Sequence, residues 1–498
     1  MRVPRARPSW SGVTAELTAT DRRWWWDALL LALGAAVLRI PAFLAPTNLG
    51  YDDGGYGLAA IAMREGFEPF RDIFSPQGPL FLPLLHVADL VGFEALGAPR
   101  LLAVAAGMAT TVAVYAAGRE ITGRGRSLLA GALTATSGVL LWTTGPITGD
   151  GPGAAFATAA VAVALAYRRS PGRGKAVAIM LLAGGAVAIK SLLVGPALLV
   201  AWVLVLTRRR LLDLVLIPVG ALALVVLASA PWGFQHVLDD YVRYHLEKTG
   251  ERTPGANLDK VVTTFFRRDL PMVVIGAAGL VTAVVTRVRR PRSEDGAAEQ
   301  APIWERAIAG DRILWWWAGL VLVVLLTQEP MFRNHLAALV PPLALLVARW
   351  RPSWKVVAVA AVITVPFQVV ELRPLYWPED HTGREAAIVE RLRALPDDAW
   401  ALSDEPGLVW RAGLGTDPYF VDPSVLRIDH AVPAISITED KVVAAARRPR
   451  VCAVAVTAPV RWGSFESLPE RLEELGYEQV EDHGPGLGLW LRTTPRCR

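Results

Sequence analysis

The sequence predicts a mainly α protein, a polytopic bundle of transmembrane helices carrying a small α/β domain at its C-terminal end. Three observations predict it. Of 498 residues, 53% are hydrophobic and only 19% charged, and the mean hydropathy of +0.36 is too high for an ordinary water-soluble globular chain. The apolar residues fall into runs of about 17 to 20, rich in Leu, Val and Ala, which is the length a helix needs to cross a hydrocarbon core of about 30 Å. After Trp377 these runs stop and short helix-period and strand-period segments replace them.

The net charge of +5 does not indicate nucleic-acid binding, because the basic residues sit in short clusters between apolar runs and form no stripe on a soluble domain. They read as topology. By the positive-inside rule the clusters at 119–126, 168–175, 208–210, 287–292 and 349–355 mark the cytoplasmic side. About eleven spans fit between them: 24–43, 101–118, 127–145, 151–167, 175–190, 191–207, 212–230, 270–287, 312–329, 332–349 and 355–372. The basic tail 1–23 precedes an apolar run without a small-residue cleavage site, so it reads as the cytoplasmic side of a signal anchor. That makes 24–373 the membrane domain and 374–498 an extracytoplasmic domain.

A twelfth apolar stretch, 80–91, would invert every later loop if it crossed. It contains Pro83, His86 and Asp89, and charge in the bilayer core costs several kcal/mol, of order 2.5–3.5 on insertion scales. It is therefore expected to be interfacial or re-entrant. The outer side then carries the loop 45–79, the turn 145–150 and the loop 231–269. The cytoplasmic segment 287–312 reads as a flexible linker. No internal repeat is evident, which argues against an inverted-repeat transporter.

The first outer loop holds the most informative residues. Adjacent carboxylates Asp52 and Asp53 at a membrane surface repel each other and the headgroups, so they call for a counter-ion, a metal or a substrate that needs a base. A solvated loop, with its glycines serving turns, is the plainer explanation, and 58–63 reads as a short helix beyond it. Further along, the loop runs Phe70-Arg71-Asp72-Ile73-Phe74-Ser75-Pro76-Gln77-Gly78-Pro79.

Together, Asp52-Asp53-x-x-Tyr56 and Arg71-Asp72-x-Phe74-x-Pro76-x-Gly78-Pro79 resemble the first outer loop of GT-C glycosyltransferases, in the branch of protein O-mannosyltransferases and lipid A aminoarabinose transferases. That branch usually has Asp-Glu where this chain has Asp52-Asp53. The resemblance extends over the membrane part through Gly97-Ala98-Pro99-Arg100, Gly149-Asp150-Gly151-Pro152 and Arg333-Asn334-His335 before Val340-Pro341-Pro342.

The resemblance implies an inverting transfer of a hexose or pentose from a polyprenyl-phosphate donor, on the outer membrane face, to a glycan, lipid or protein acceptor. Asp52 is the expected general base, with Asp53 and Asp150 as companion carboxylates. Asp150 reads equally as an N-cap. The leaving phosphate needs fixed positive charge, for which Arg100, Lys190 and Arg333 are the candidates. Lys190 lies between two apolar spans on the side where no positive-inside argument accounts for it, although snorkelling to headgroups explains it too. Tyr56, Arg71, His245 and His335 are the expected substrate contacts, and the pattern His236, Tyr241, Arg243, Tyr244, His245, Lys248 suggests a helix along the surface.

No His or Cys spacing demands a metal, so none is expected to be obligatory, Asp52 and Asp150 being the pair that a divalent ion would bridge. The competing function is a transporter or flippase of a charged lipid, which would use the same intramembrane charges.

In the C-terminal domain the pattern predicts a helix over 383–395, strands at 399–402 and 451–457, a helix over 468–475, and a final strand pair at 477–481 and 487–492. It shows no Gly-x-Gly-x-x-Gly and no nucleophile elbow, so no catalysis is assigned to it. Both cysteines, Cys452 and Cys497, fall here. An oxidising compartment would permit a bridge between them, while a lone strand cysteine is as readily a small buried hydrophobe.

Overall fold

The structure, a computed structural model, describes residues 22–208, 210–247, 253–289, 311–377 and 383–497. The basic tail before Arg22, Lys248 and most of the linker 287–312 lie outside the described residues.

Every expected span coincides with helix. In chain order these are α1 (Arg22–Val37), then two short helices of the first loop, α2 (Tyr51–Arg64) and α3 (Phe81–Val91), and α4 (Leu101–Ile121), α5 (Arg124–Thr136), α6 (Gly138–Thr144), α7 (Asp150–Arg169), α8 (Arg173–Ile189), α9 (Ser191–Leu206) and α10 (Leu211–Ser229). After them come α11 (Pro254–Arg268), α12 (Leu270–Arg289), α13 (Arg312–Thr327), α14 (Val340–Arg349) and α15 (Trp354–Glu371). Among the described residues, three helices are both long and apolar enough to cross a membrane, Ala98–Ile121, Leu211–Trp232 and Trp354–Glu371, or five if each bent pair is one span. The full count of eleven stays an expectation.

The departures have local causes. The expected span 127–145 bends by 55° between α5 and α6, because Asp269 inserts its carboxylate at the start of α6. It accepts from Ser137 Oγ at 2.9 Å, Gly138 N at 3.0 Å and Val139 N at 3.1 Å, satisfying amides that a continuous helix would have bonded. The span 332–349 opens with a 3₁₀ segment, Arg333–Leu339, before α14. Helix α3 has eleven residues and so reaches about 16 Å, half a hydrocarbon core, which fits the non-spanning reading of 80–91.

The C-terminal domain contains α16 (Arg384–Arg393), β1 (Trp400–Ser403), α17 (Pro406–Ala412), α18 (Glu439–Ala446), β2 (Val451–Val456), α19 (Leu468–Glu474), β3 (Tyr477–Gly484) and β4 (Leu487–Arg492). The sheet order is β1-β2-β4-β3, with β1 parallel to β2 and the other pairs antiparallel. Cys452 and Cys497 are joined in a disulfide, fixing the last turn of the chain to the central strand β2.

This domain is fused to the first loop by a continuous apolar core. Leu58, Ala59 and Ala62 of α2 pack in one cluster with Ile388, Val389, Leu408, Trp410 and Cys452. The loop glycines are not turn residues, as the sequence suggested, but lie inside α2 where α17 approaches. A Cβ on Gly54 would stand 2.4 Å from Gly407 N, and one on Gly57 2.3 Å from the Trp410 ring. Glycine in a helix costs about 0.5–1 kcal/mol relative to alanine; here that cost is offset by the close contact it permits.

Candidate active site

The paired carboxylates sit in the first turn of α2, not in a loop ahead of a shorter helix. Successive helical residues are about 100° apart, so Asp52 and Asp53 point in different directions and meet different surroundings.

Asp53 turns inward and is fully buried. It accepts from Arg100 Nη2 at 2.6 Å and Nε at 3.2 Å, from Leu49 N at 2.9 Å and from Ile147 N at 2.8 Å. Arg100, equally buried, also donates from Nη1 to Ala42 O at 3.0 Å and Ala45 O at 2.6 Å, and from Nη2 to Thr47 O at 2.5 Å. A guanidinium has five N–H donors, and these five bonds use all of them. Its face lies 5.0 Å from the Trp410 ring. Arg100 is thus placed as the clamp that closes the loop 42–53, with no donor left for a phosphate.

Asp52 turns the other way and is partly exposed. Its pKa is pushed up to about 7, first by burial, then by the negative charges of Asp150 and Asp422; Lys190 opposes the rise and Asp53 adds to it slightly.

Asp150 is the first residue of α7. Gly149 is the N-cap, and the first-turn amide of Gly151 donates to Thr148 Oγ1 at 3.4 Å, so the capping role is not the one Asp150 takes. Its Oδ1 stands 3.6 Å from Lys190 Nζ and 3.9 Å from His335 Nε2, and that oxygen is buried without a hydrogen bond. Lys190 occupies the junction of α8 and α9. Asp150, Thr158, Lys190, Trp317, Asn334 and His335 line one cleft, so the chain brings an ammonium and an imidazole up to one carboxylate oxygen without closing the bonds between them. The helix N-termini of α7 and α9 open on the same place, favouring an anion.

The motif after Arg71 explains how Lys190 gets there. Gly78 N donates to Ile189 O and Leu80 N to Ala188 O, both at 2.9 Å, which docks the segment on the end of α8. A Cβ on Gly78 would lie 2.3 Å from Ala188 O, so only glycine fits. Gln77 Nε2 donates to Tyr56 OH at 2.6 Å, tying the same segment to α2. Tyr56 is therefore part of the frame beside Asp52.

The remaining expected contacts are more scattered. His245 Nε2 lies 2.9 Å from Pro76 O. Arg333 is exposed. Arg71 is exposed and pairs with Glu68 at 2.6 Å, away from the cleft residues named above. In the loop 231–269 the segments 234–246 and 254–268 are helical, including a π-helix, Leu238–Arg243, and its buried Asp240 accepts from Ser75 N at 3.1 Å.

Sequence reasoning missed Asp422. It comes from a loop of the C-terminal domain and accepts a hydrogen bond from Tyr51 OH at 3.0 Å. The one available signal was the turn chemistry of Asp417-Pro418 and Asp422-Pro423, which marks a loop but not where it lands. Among the described residues no group of three or more His, Cys, Asp or Glu side chains could hold a metal ion.

No family profile matches the sequence, and no curated protein matches it. The fold does have relatives among solved structures. ArnT from Cupriavidus metallidurans bound to undecaprenyl phosphate superposes with a TM-score of 0.62 at 14% identity, covering 94% of this chain and 99% of that one. ArnT from the same organism in the apo state gives 0.61 at 13% identity, covering 93% and 97%. The chain shares the fold of these two structures over nearly its whole length.

Proposed function

We propose that this chain is a multi-pass glycosyltransferase of the cell membrane that moves a sugar from a polyprenyl-phosphate donor to an acceptor hydroxyl or amine on the outer face. The N-terminus is then cytoplasmic and the C-terminal domain extracytoplasmic. The observation that carries the reading is Asp52, an accessible carboxyl facing a loosely held Asp150–Lys190 pair, in a fold shared with an undecaprenyl-phosphate-bound transferase.

In the reaction the acceptor oxygen or nitrogen attacks the anomeric carbon and its proton passes to Asp52. The bond from that carbon to the phosphate oxygen breaks, the electron pair leaves with the phosphate, and configuration inverts. Proton acceptance by a placed base is worth about 10²–10⁴ in rate, and a pKa near 7 matches that task at neutral pH. Lys190, 3.6 Å from Asp150 and so beyond hydrogen-bond length, is free to reach the leaving phosphate. The amides at the start of α9 add to the positive field there. His335 and Asn334 border the same cleft, and the adjacent, exposed Arg333 is a further candidate for the donor phosphate. No step requires a metal ion.

The test is a panel of radiolabelled polyprenyl-phosphate sugars supplied to membranes containing the chain. Glycosyl transfer predicts that one donor is cleaved, releasing free polyprenyl phosphate and labelling an acceptor. A transporter or flippase would move donor across the bilayer intact, and that result would sink the proposal.

A further inference from the structure

The C-terminal domain carries no catalytic motif, yet one of its carboxylates reaches the residue next to Asp52. Gly54 and Gly57 let α17 lie against α2, and the carbonyl of Val421 comes within 3.1 Å of where a Cβ on Gly55 would stand. The next residue is Asp422, held by Tyr51 OH at 3.0 Å and Ser424 N at 3.2 Å. Tyr51 in turn lies under Arg461, 4.6 Å from its ring centroid, and Arg461 pairs with Glu405 at 3.0 Å. Three segments of the C-terminal domain therefore converge on the residue preceding Asp52.

We propose that Asp422 is a positioning residue of the transfer centre, supplied by the C-terminal domain: through its hydrogen bond with Tyr51 it fixes the first turn of α2 and so the direction in which Asp52 is presented. The inference rests on the glycosyltransferase reading for its meaning but not for its test. Asp52 is faced by Tyr51, Asp53 and Tyr56 from its own helix, by Asp150 from α7, by Lys190 from the α8–α9 junction, by Tyr244 from the second outer loop and by Asp422 from the C-terminal domain. Asp53 is neutralised by Arg100 and Asp150 lies against Lys190. Asp422 is the acid near Asp52 whose partners, a phenol and an amide, leave its charge uncompensated.

A carbodiimide reacts with protonated, buried carboxyls, so the pH dependence of dicyclohexylcarbodiimide labelling, read by mass spectrometry on the full chain in membranes, reports the protonation of Asp52 without any turnover. The labelling of Asp52 is expected to fall by half at about pH 7. In Asp422→Asn, and in Asp422→Ser should the first variant fail to fold, the midpoint moves down by about one pH unit, while Asp422→Glu keeps it near the wild-type value. Asp240, also pushed up to about 7 but by burial, with Asp422 not among the charges that act on it, labels with an unchanged midpoint and certifies the fold. An Asp52 midpoint that stays put in folded neutral variants overturns the proposal. Absence of donor cleavage alongside a shifted midpoint would instead count against the glycosyltransferase reading, leaving the coupling of Asp422 to Asp52 in place.

Discussion

Asp52 and Asp53 are neighbours in sequence and share a helical turn, yet their surroundings differ in every respect. Asp53 ends in a closed set of bonds with Arg100 and two amides, in which every guanidinium donor is used. Asp52 is partly exposed and feels the charges of Asp150, whose Oδ1 lacks a hydrogen bond, and of Lys190, which sits just too far away to supply one. A saturated ion pair holds the fold; an unsaturated group of charges has capacity left for a ligand. The difference separates a structural acid from the one proposed to take the proton, without reference to any relative.

The comparison can be broken most severely at Arg100. Arg100→Ala leaves Asp53 as a buried charge without its partner, a change that costs about 3–5 kcal/mol, so thermal unfolding in detergent is expected to shift far downward. Lys190→Ala is expected to lower the rate of sugar transfer by about 10²–10³-fold with little change in unfolding temperature, and Lys190→Arg to recover part of it. A matching loss of stability in Lys190→Ala would put that residue on the Asp53 side of the comparison.

Gly57→Ala tests the seat of the C-terminal domain. Its Cβ would press on the Trp410 ring, and overpacking of this kind costs about 1–3 kcal/mol, measurable as faster proteolysis between the two parts. A further effect concerns pH. The folded pKa of Asp52 lies above its unfolded value, so ionising it opposes folding, and stability attributable to this group declines as pH rises from about 4 to about 7. Asp52→Asn removes that decline, and above pH 7 its unfolding temperature should equal or exceed that of the wild type. Transfer in the wild type should fall as pH drops below about 7, because the base becomes protonated.

Helix positions were legible because length and apolarity are local properties, and the anomalies Asp52, Asp150 and Lys190 stood out because charge is conspicuous beside apolar runs. Arg100 drew the same attention and turned out to be satisfied by the carbonyls of Ala42, Ala45 and Thr47, acceptors that every residue carries and no pattern displays. Gly54 and Gly57 look like turn formers until the partner helix α17, some 350 residues on, is in place. Asp422 was hidden for the same reason: its loop has no periodicity, and its relation to Tyr51 exists only after the domain docks. The bend at Ser137 likewise depends on Asp269 arriving from another helix.

The central claim is that Asp52, and not its neighbour, takes the proton during sugar transfer. It is tested most directly by measuring the initial rate of cleavage of the accepted polyprenyl-phosphate sugar with Asp52→Asn purified to the same folded fraction as wild type. The account predicts an unfolding temperature at or above that of the wild type and a rate lower by about 10²–10⁴-fold. A folded Asp52→Asn that turns over the donor at the wild-type rate would contradict it.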